Sequence, residues 1–314
     1  MKYFGKKIIS MLITLLIVSF LVFLAFTVIP GDPAVSKLGM QATPERLEAL
    51  REEMGLNRPF LERYGTWLIQ ALKGDFGISY SYGASVSEMV LDKLPITLCL
   101  TLMAFVLVVV CALPLGIYTA KHEGGWLDRI ILVINQIIMA VPPFFAGILL
   151  TYIFGLVLKW FQPGVFISYE TSISKFLGCL IFPALAIAIP KIAMTVKLLR
   201  SALIDEAKKD YVRTAYSKGN SKNGVFYFHL LKNAMIPVVT FLAMTLTDMI
   251  AGSVIVEQVF SIPGLGRILV TSISNRDYPV VEAIIVLLAL IVVVVNLLSD
   301  VLCRKIDPRI STGE

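Results

Sequence analysis

Apolar residues run along this chain in long unbroken blocks, neither alternating as in a half-buried strand nor striped as in a surface helix. Six blocks stand out, at about 8–29, 94–118, 130–158, 177–196, 235–256 and 279–303. A hydrocarbon core about 30 Å thick needs roughly 20 apolar residues in a helix. The blocks therefore predict an all-α membrane protein with six transmembrane helices. The third block is long enough to tilt or kink at Pro142 and Pro143. The fourth is interrupted by Pro183, Pro190 and Lys191, and the fifth contains Asp248. Lys2, Lys6 and Lys7 precede the first block, as in a secretory signal, but its apolar core is too long. Pro30-Gly31-Asp32-Pro33 follows where a small-residue cleavage site would stand. It reads as a retained span.

Two connections are longer than turns. In the first, residues 30–93, Thr43 is a candidate N-cap with Pro44 at the first helical position and Gly55 at the close. Pro59 opens a second helix, in which Phe60, Leu61, Tyr64, Trp67, Leu68, Ala71 and Leu72 share a face. That face either lies on the membrane surface or packs over the ends of the spans. Gly74, Gly77 and Gly83 then break regular structure. The second long connection covers residues 197–234. Leu203, Ala207, Tyr211 and Ala215 fall four apart, predicting one helix with a small, apolar stripe that ends at a left-handed cap on Gly219. Asn220 or Ser221 can cap a second helix through Phe226, His229 and Asn233 to Pro237. The reading is a basic helix–turn–helix; a solvated connector is the plainer alternative.

Composition supports the membrane reading. The 314 residues are 57% hydrophobic and 16% charged, against about 25% charged in a soluble domain. The mean hydropathy is +0.82, which excludes a disordered chain and argues against a water-soluble globule. The net charge of +6 suits basic cytoplasmic loops and needs no nucleic acid. Three lysines in the N-terminal tail, eight basic residues between Lys197 and Lys232, and Arg304, Lys305 and Arg309 place both termini and the 197–234 loop in the cytoplasm. Residues 30–93 then face outward. Cys99, Cys111, Cys179 and Cys303 form no CxxC and read as small buried hydrophobes. His122 and His229 are too far apart for a metal cluster, and no nucleophile–base pair stands out, so neither a catalytic nor a metal site is expected. No G-x-x-x-x-G-K-[ST] phosphate loop is present, so no nucleotide cofactor is expected on this chain.

Three charges lie in the blocks. Lys191 is close enough to the cytoplasmic end of its span to snorkel. Glu282 can reach the outer interface. Asp248 is deeper; it either pairs with a neighbouring helix or faces a translocation path.

The segment DYVRTAYSKG followed by HLLKNAMIP resembles the EAA-type loop of bacterial ABC importer permeases, closest to the dipeptide, oligopeptide and nickel branch. Asp210, Ala215, Gly219, His229, Asn233 and Pro237 fall where that pattern has them, with Tyr211 beside the acid; Tyr216 stands where a basic residue is commoner. GDPA after the first span, GLNRPFLERYGTWL, GDFGISY, EQVFSIPGLGR, NRDYPV, Asn296, Asp300 and Asp307-Pro308-Arg309 carry the likeness along nearly the whole chain. The resemblance implies a pore-forming subunit in a bacterial cytoplasmic membrane. It would work with a second permease, two ATPase subunits that use the ATP, and an extracytoplasmic substrate-binding protein. Residues 197–234 would hold the coupling helix. Short peptides are the expected cargo, with nickel or a nickel chelate as the alternative. A self-sufficient secondary transporter would be expected to show internal repeats, and none is evident.

Overall fold

The computed structural model describes residues 2–28, 33–38 and 43–306. Gly31-Asp32 of the GDPA motif and the Asp307-Pro308-Arg309 motif lie outside the described residues. The described chain is helical, with one isolated bridge between Ile78 and Ser85. In order the helices are α1 (Lys2–Val28), α2 (Pro33–Leu38), α3 (Pro44–Glu53), α4 (Phe60–Leu72), α5 (Val86–Lys121), α6 (Trp126–Met139) and α7 (Pro143–Leu150). Then come α8 (Ile173–Ala207), α9 (Asp210–Ser217), α10 (Lys222–Gly224), α11 (Leu231–Phe260), α12 (Leu265–Ser274) and α13 (Tyr278–Ile306). A π-helical stretch at Thr151–Val157 extends α7, and another at Val225–Leu230 joins α10 to α11.

Five helices are long and apolar enough to cross a membrane, or six if α6 and the α7 segment form one broken span. That pair bends by 103° at Pro142 and Pro143, where the first proline is extended and the second begins a new helix. Elsewhere prolines do not break the helix. α8 runs through Pro183 and Pro190, both buried, so the expected interruption is absent. Small neighbours at Ala184, Ala186, Ala188 and Ala193, all buried, let other helices approach closely and stabilise the irregular stretch.

The chain divides into two compact units. In the unit built from residues 1–97 and 263–293, α3 begins as the sequence predicts. The Thr43 side chain accepts the Arg46 N–H at 3.4 Å, and Gly55 closes the segment with φ of +66°. α4 packs its aromatic face on α1: Phe20 and Phe23 meet Phe60 and Tyr64 edge-on at 5.3–5.6 Å, and the hydroxyls of Ser19 and Tyr64 lie 2.9 Å apart. Leu61 and Leu72, expected on that face, stay exposed. Beyond α4, the GDFGISY and NRDYPV motifs meet. Asp277 is fully buried, and its carboxylate accepts from Ser79 Oγ, the Tyr80 N–H and the Ser81 N–H at 2.5, 2.9 and 3.1 Å.

In the unit built from residues 98–262 and 294–314, α8 is central and packs on α6, α7 and α11. Its contact with α5 is close at Gly116, where an added Cβ would lie 2.8 Å from the Leu199 side chain. Only glycine fits there without displacing Leu199.

Candidate functional site

The 208–230 connection is not the single stripe that four-residue spacing predicts. α8 ends at Ala207, Lys208 and Lys209 turn the chain, and α9 starts at Asp210 with Lys209 extended (φ −76°, ψ 147°). Leu203 and Ala207 therefore belong to a different helix from Tyr211 and Ala215, and Ala207 is exposed. The break has a local cause. Glu206, almost buried, accepts from Lys209 Nζ at 2.6 Å on one oxygen and from the Tyr211 hydroxyl at 2.8 Å on the other. Tyr211 in turn accepts from Asn233 Nδ2 at 3.1 Å. One carboxylate thus folds the chain back on itself and ties α9 to the ends of α8 and α11. Burial holds the Tyr211 phenol above its ordinary pKa, so it stays a donor.

α9 buries Val212 and Ala215 against the π-helical stretch and exposes Asp210, Arg213, Thr214, Tyr216 and Ser217. Ala215, which the four-residue spacing puts on a small, apolar stripe, faces inward, at 7% exposure. Gly219 has φ of +81°, in the left-handed region, as its capping role requires. Asn220 Nδ2 donates to the Ala215 carbonyl at 3.1 Å and closes the helix end. Ser221 caps the next turn by accepting the Gly224 N–H at 3.2 Å. No separate second helix follows: helical structure continues from Lys222 to Phe260, with Pro237 inside it. His229 is exposed on the π-helical stretch and takes no part in the Glu206 cluster. Lys121, at the end of α5, donates to the Tyr227 hydroxyl at 2.9 Å and lies over the Tyr227 and Phe226 rings at 4.2 and 4.6 Å.

Within the spans, Lys191 does not point away alone. Its Nζ lies 3.0 Å from Asp248 Oδ2, joining α8 to α11. The Lys191 side chain is 16% exposed and that of Asp248 is 66% exposed, so the pair is open on the carboxylate side. Thr247, the residue before Asp248, donates its hydroxyl to Asn296 Oδ1 at 2.9 Å. A second pair is closed: Arg200 Nε and Nη2 donate to the two Asp128 oxygens at 2.7 and 2.8 Å, and the Gly124 N–H adds a bond at 3.0 Å. Asp248 and Asn233 are separated by fifteen residues of helix, roughly 22 Å, so the two polar sites are distinct.

Sequence reasoning missed Glu206, Asp128 and Asp277. Glu206 could have been found as an acid three residues before a lysine at a helix end. Nothing local marks the distant partners of the other two.

Known proteins place this arrangement. Residues 112–312 match the family described as the inner membrane component of binding-protein-dependent transport systems, and residues 1–101 match the N-terminal region of such components. A probable peptide ABC transporter permease of Sinorhizobium fredii is 33% identical over 308 residues, covering 98% of both chains. The oligopeptide transport system permease AppB of Bacillus subtilis is 35% identical over 311 residues, again 98% of each. The glutathione transport system permease GsiC of Escherichia coli is 35% identical over 310 residues, 99% of each. With apolar spans, a helical connection latched to two of them and family matches along almost its whole length, the chain belongs to the binding-protein-dependent transport system inner membrane component family, and is a multi-pass protein of the cytoplasmic membrane.

Proposed function

We propose that this chain is the pore-forming permease of an ATP-driven importer of short peptides. Full-length relatives named for peptide, oligopeptide and glutathione transport carry the cargo assignment and favour peptides over nickel. α9 and its Glu206–Tyr211–Asn233 latch support the mechanism. The charged, exposed face of α9 (Asp210, Arg213, Tyr216) meets an ATPase subunit in the cytoplasm. The latch passes the movement of that subunit to α8 and α11. Those two helices also carry Lys191 and Asp248, whose open pair faces the path or a second permease, because lipid would not tolerate it. ATP is bound by the partner subunits, and an extracytoplasmic binding protein delivers the peptide to the face that carries residues 43–85.

The test is reconstitution of the permeases, ATPase subunits and binding protein in liposomes. ATP-dependent accumulation of labelled di- and tripeptides is expected, with no accumulation of Ni²⁺. Cysteine at Ser221 should resist impermeant thiol reagents in intact cells, and cysteine at Ser81 should react. Stoichiometric ATP binding by the isolated chain, or Ni²⁺ uptake without peptide uptake, would overturn the proposal.

A further inference from the structure

Beside the Asp277 clamp, in the unit of residues 1–97 and 263–293, is a cavity of about 460 Å³. Ligand pockets commonly run from roughly 300 to 1,000 Å³. Two of the groups in its walls lack partners of their own. Glu282 is 6% exposed, lines the cavity, and makes no hydrogen bond or ion pair among the described residues. The cation acting on it is Arg63, which stays beyond ion-pair distance and lies over the Phe23 ring at 5.6 Å. The Trp67 ring also lines the cavity, and its indole N–H is buried without an acceptor. A second acid, Glu53, and Arg58, Thr66, Gln70, Ser79 and Tyr80 complete the polar lining, so both signs of charge border the cavity.

A buried carboxyl without a hydrogen bond is costly to ionise unless a cation meets it, and an indole N–H without an acceptor is costly to bury. The two ask for opposite things, a donor cation and an acceptor. A simple cation would meet Arg58 and Arg63 unfavourably, and a simple anion would leave Glu282 unmatched. A short zwitterion satisfies both. Its ammonium would sit at Glu282 and its carboxylate at Arg63 and Arg58. We infer that this cavity is a peptide-binding subsite of the permease, with Glu282 as the receptor for a free amino terminus and Arg63 as the receptor for a free carboxylate. Tyr80, whose phenol is pushed up to about 12 by burial and by the charge of Glu282, stays protonated and can add a donor. The ligand's identity rests on the peptide reading above; the site's charge pattern does not.

The chain offers its own reporter. With Trp126→Phe and Trp160→Phe, Trp67 is the sole indole of the full-length permease. In detergent, alanyl-alanine should change Trp67 emission saturably. N-acetyl-alanyl-alanine, lacking the ammonium, and alanyl-alanine amide, lacking the carboxylate, should each bind at least tenfold more weakly. Glu282→Gln should weaken alanyl-alanine tenfold or more without affecting the acetylated peptide. Equal responses to the free and acetylated peptides, or no saturable response, would overturn the inference without relying on any variant to fold. A response only to the binding protein without peptide would assign the cavity to a protein loop and also overturn it. Peptide import with no Trp67 response would remove the subsite and leave the importer standing; a response with no import would do the reverse.

Discussion

Each of the two long connections is organised by one carboxylate, and the two are built differently. Asp277 fixes the turn after α4 through two backbone N–H groups and a serine hydroxyl, with no exposure to solvent. Glu206 fixes the turn before α9 through the long side chains of Lys209 and Tyr211. Backbone donors cannot change partner without refolding the loop. A lysine ammonium and a phenol can move by side-chain rotation, without refolding the backbone. The first connection is therefore a rigid frame, fitted to hold a cavity of constant shape. The second is held by side chains that rotate about single bonds, as the proposed coupling element would require.

The largest effect is expected where the rigid frame is cut. Asp277→Ala would leave one buried hydroxyl and two part-buried backbone N–H groups unmatched, at about 1–3 kcal/mol for the buried one and less for the other two. Thermal unfolding of the purified chain should begin well below the wild-type temperature, with new protease cleavage between residues 74 and 85. Wild-type stability would show that the clamp does not hold the loop.

Gly116→Ala tests close packing without touching either carboxylate. The new methyl meets Leu199 at 2.8 Å, and overpacking of this kind costs about 1–3 kcal/mol. Gly252→Ala, with nothing within 4 Å, is the control and should be neutral or slightly stabilising. Equal melting temperatures for the two variants would refute the close approach of α5 and α8.

Glu206→Gln separates the hinge from the frame. The amide oxygen can still accept from Tyr211, while the ion pair with a largely exposed Lys209 is lost, at about 1 kcal/mol. Global unfolding should barely move. Peptide imported per ATP hydrolysed in the reconstituted transporter should fall several-fold. Intact coupling would mean that the latch is not part of the transmission.

Gly219→Ala is the mildest. No atom opposes the methyl, so only the left-handed backbone resists it, at roughly 1 kcal/mol. Faster amide exchange confined to residues 214–221 is expected. Ala215→Trp should do more, because it disrupts the contact of α9 with Val225–Leu230 from within, and no partner is needed for that effect.

What the sequence settled is what neighbouring residues control. Long apolar blocks satisfy the length a bilayer demands, so five candidate spans could be read directly, while the third block is a pair of helices bent by 103°. A side-chain cap at Thr43, a proline behind it, and positive φ at Gly55 and Gly219 are decided within one helical turn. Tertiary structure decided whatever depends on distant partners. Ser79 and Asp277 are 198 residues apart, and Lys191 and Asp248 are 57 apart; no local pattern says that they meet. The inward face of Ala215 was hidden for the same reason. Four-residue spacing assumes a continuous helix, and the pull of buried Glu206 on Lys209 and Tyr211 broke that helix in two. The prolines of α8 erred the other way: each looks like a break by itself, but close-packed neighbours keep the helix whole.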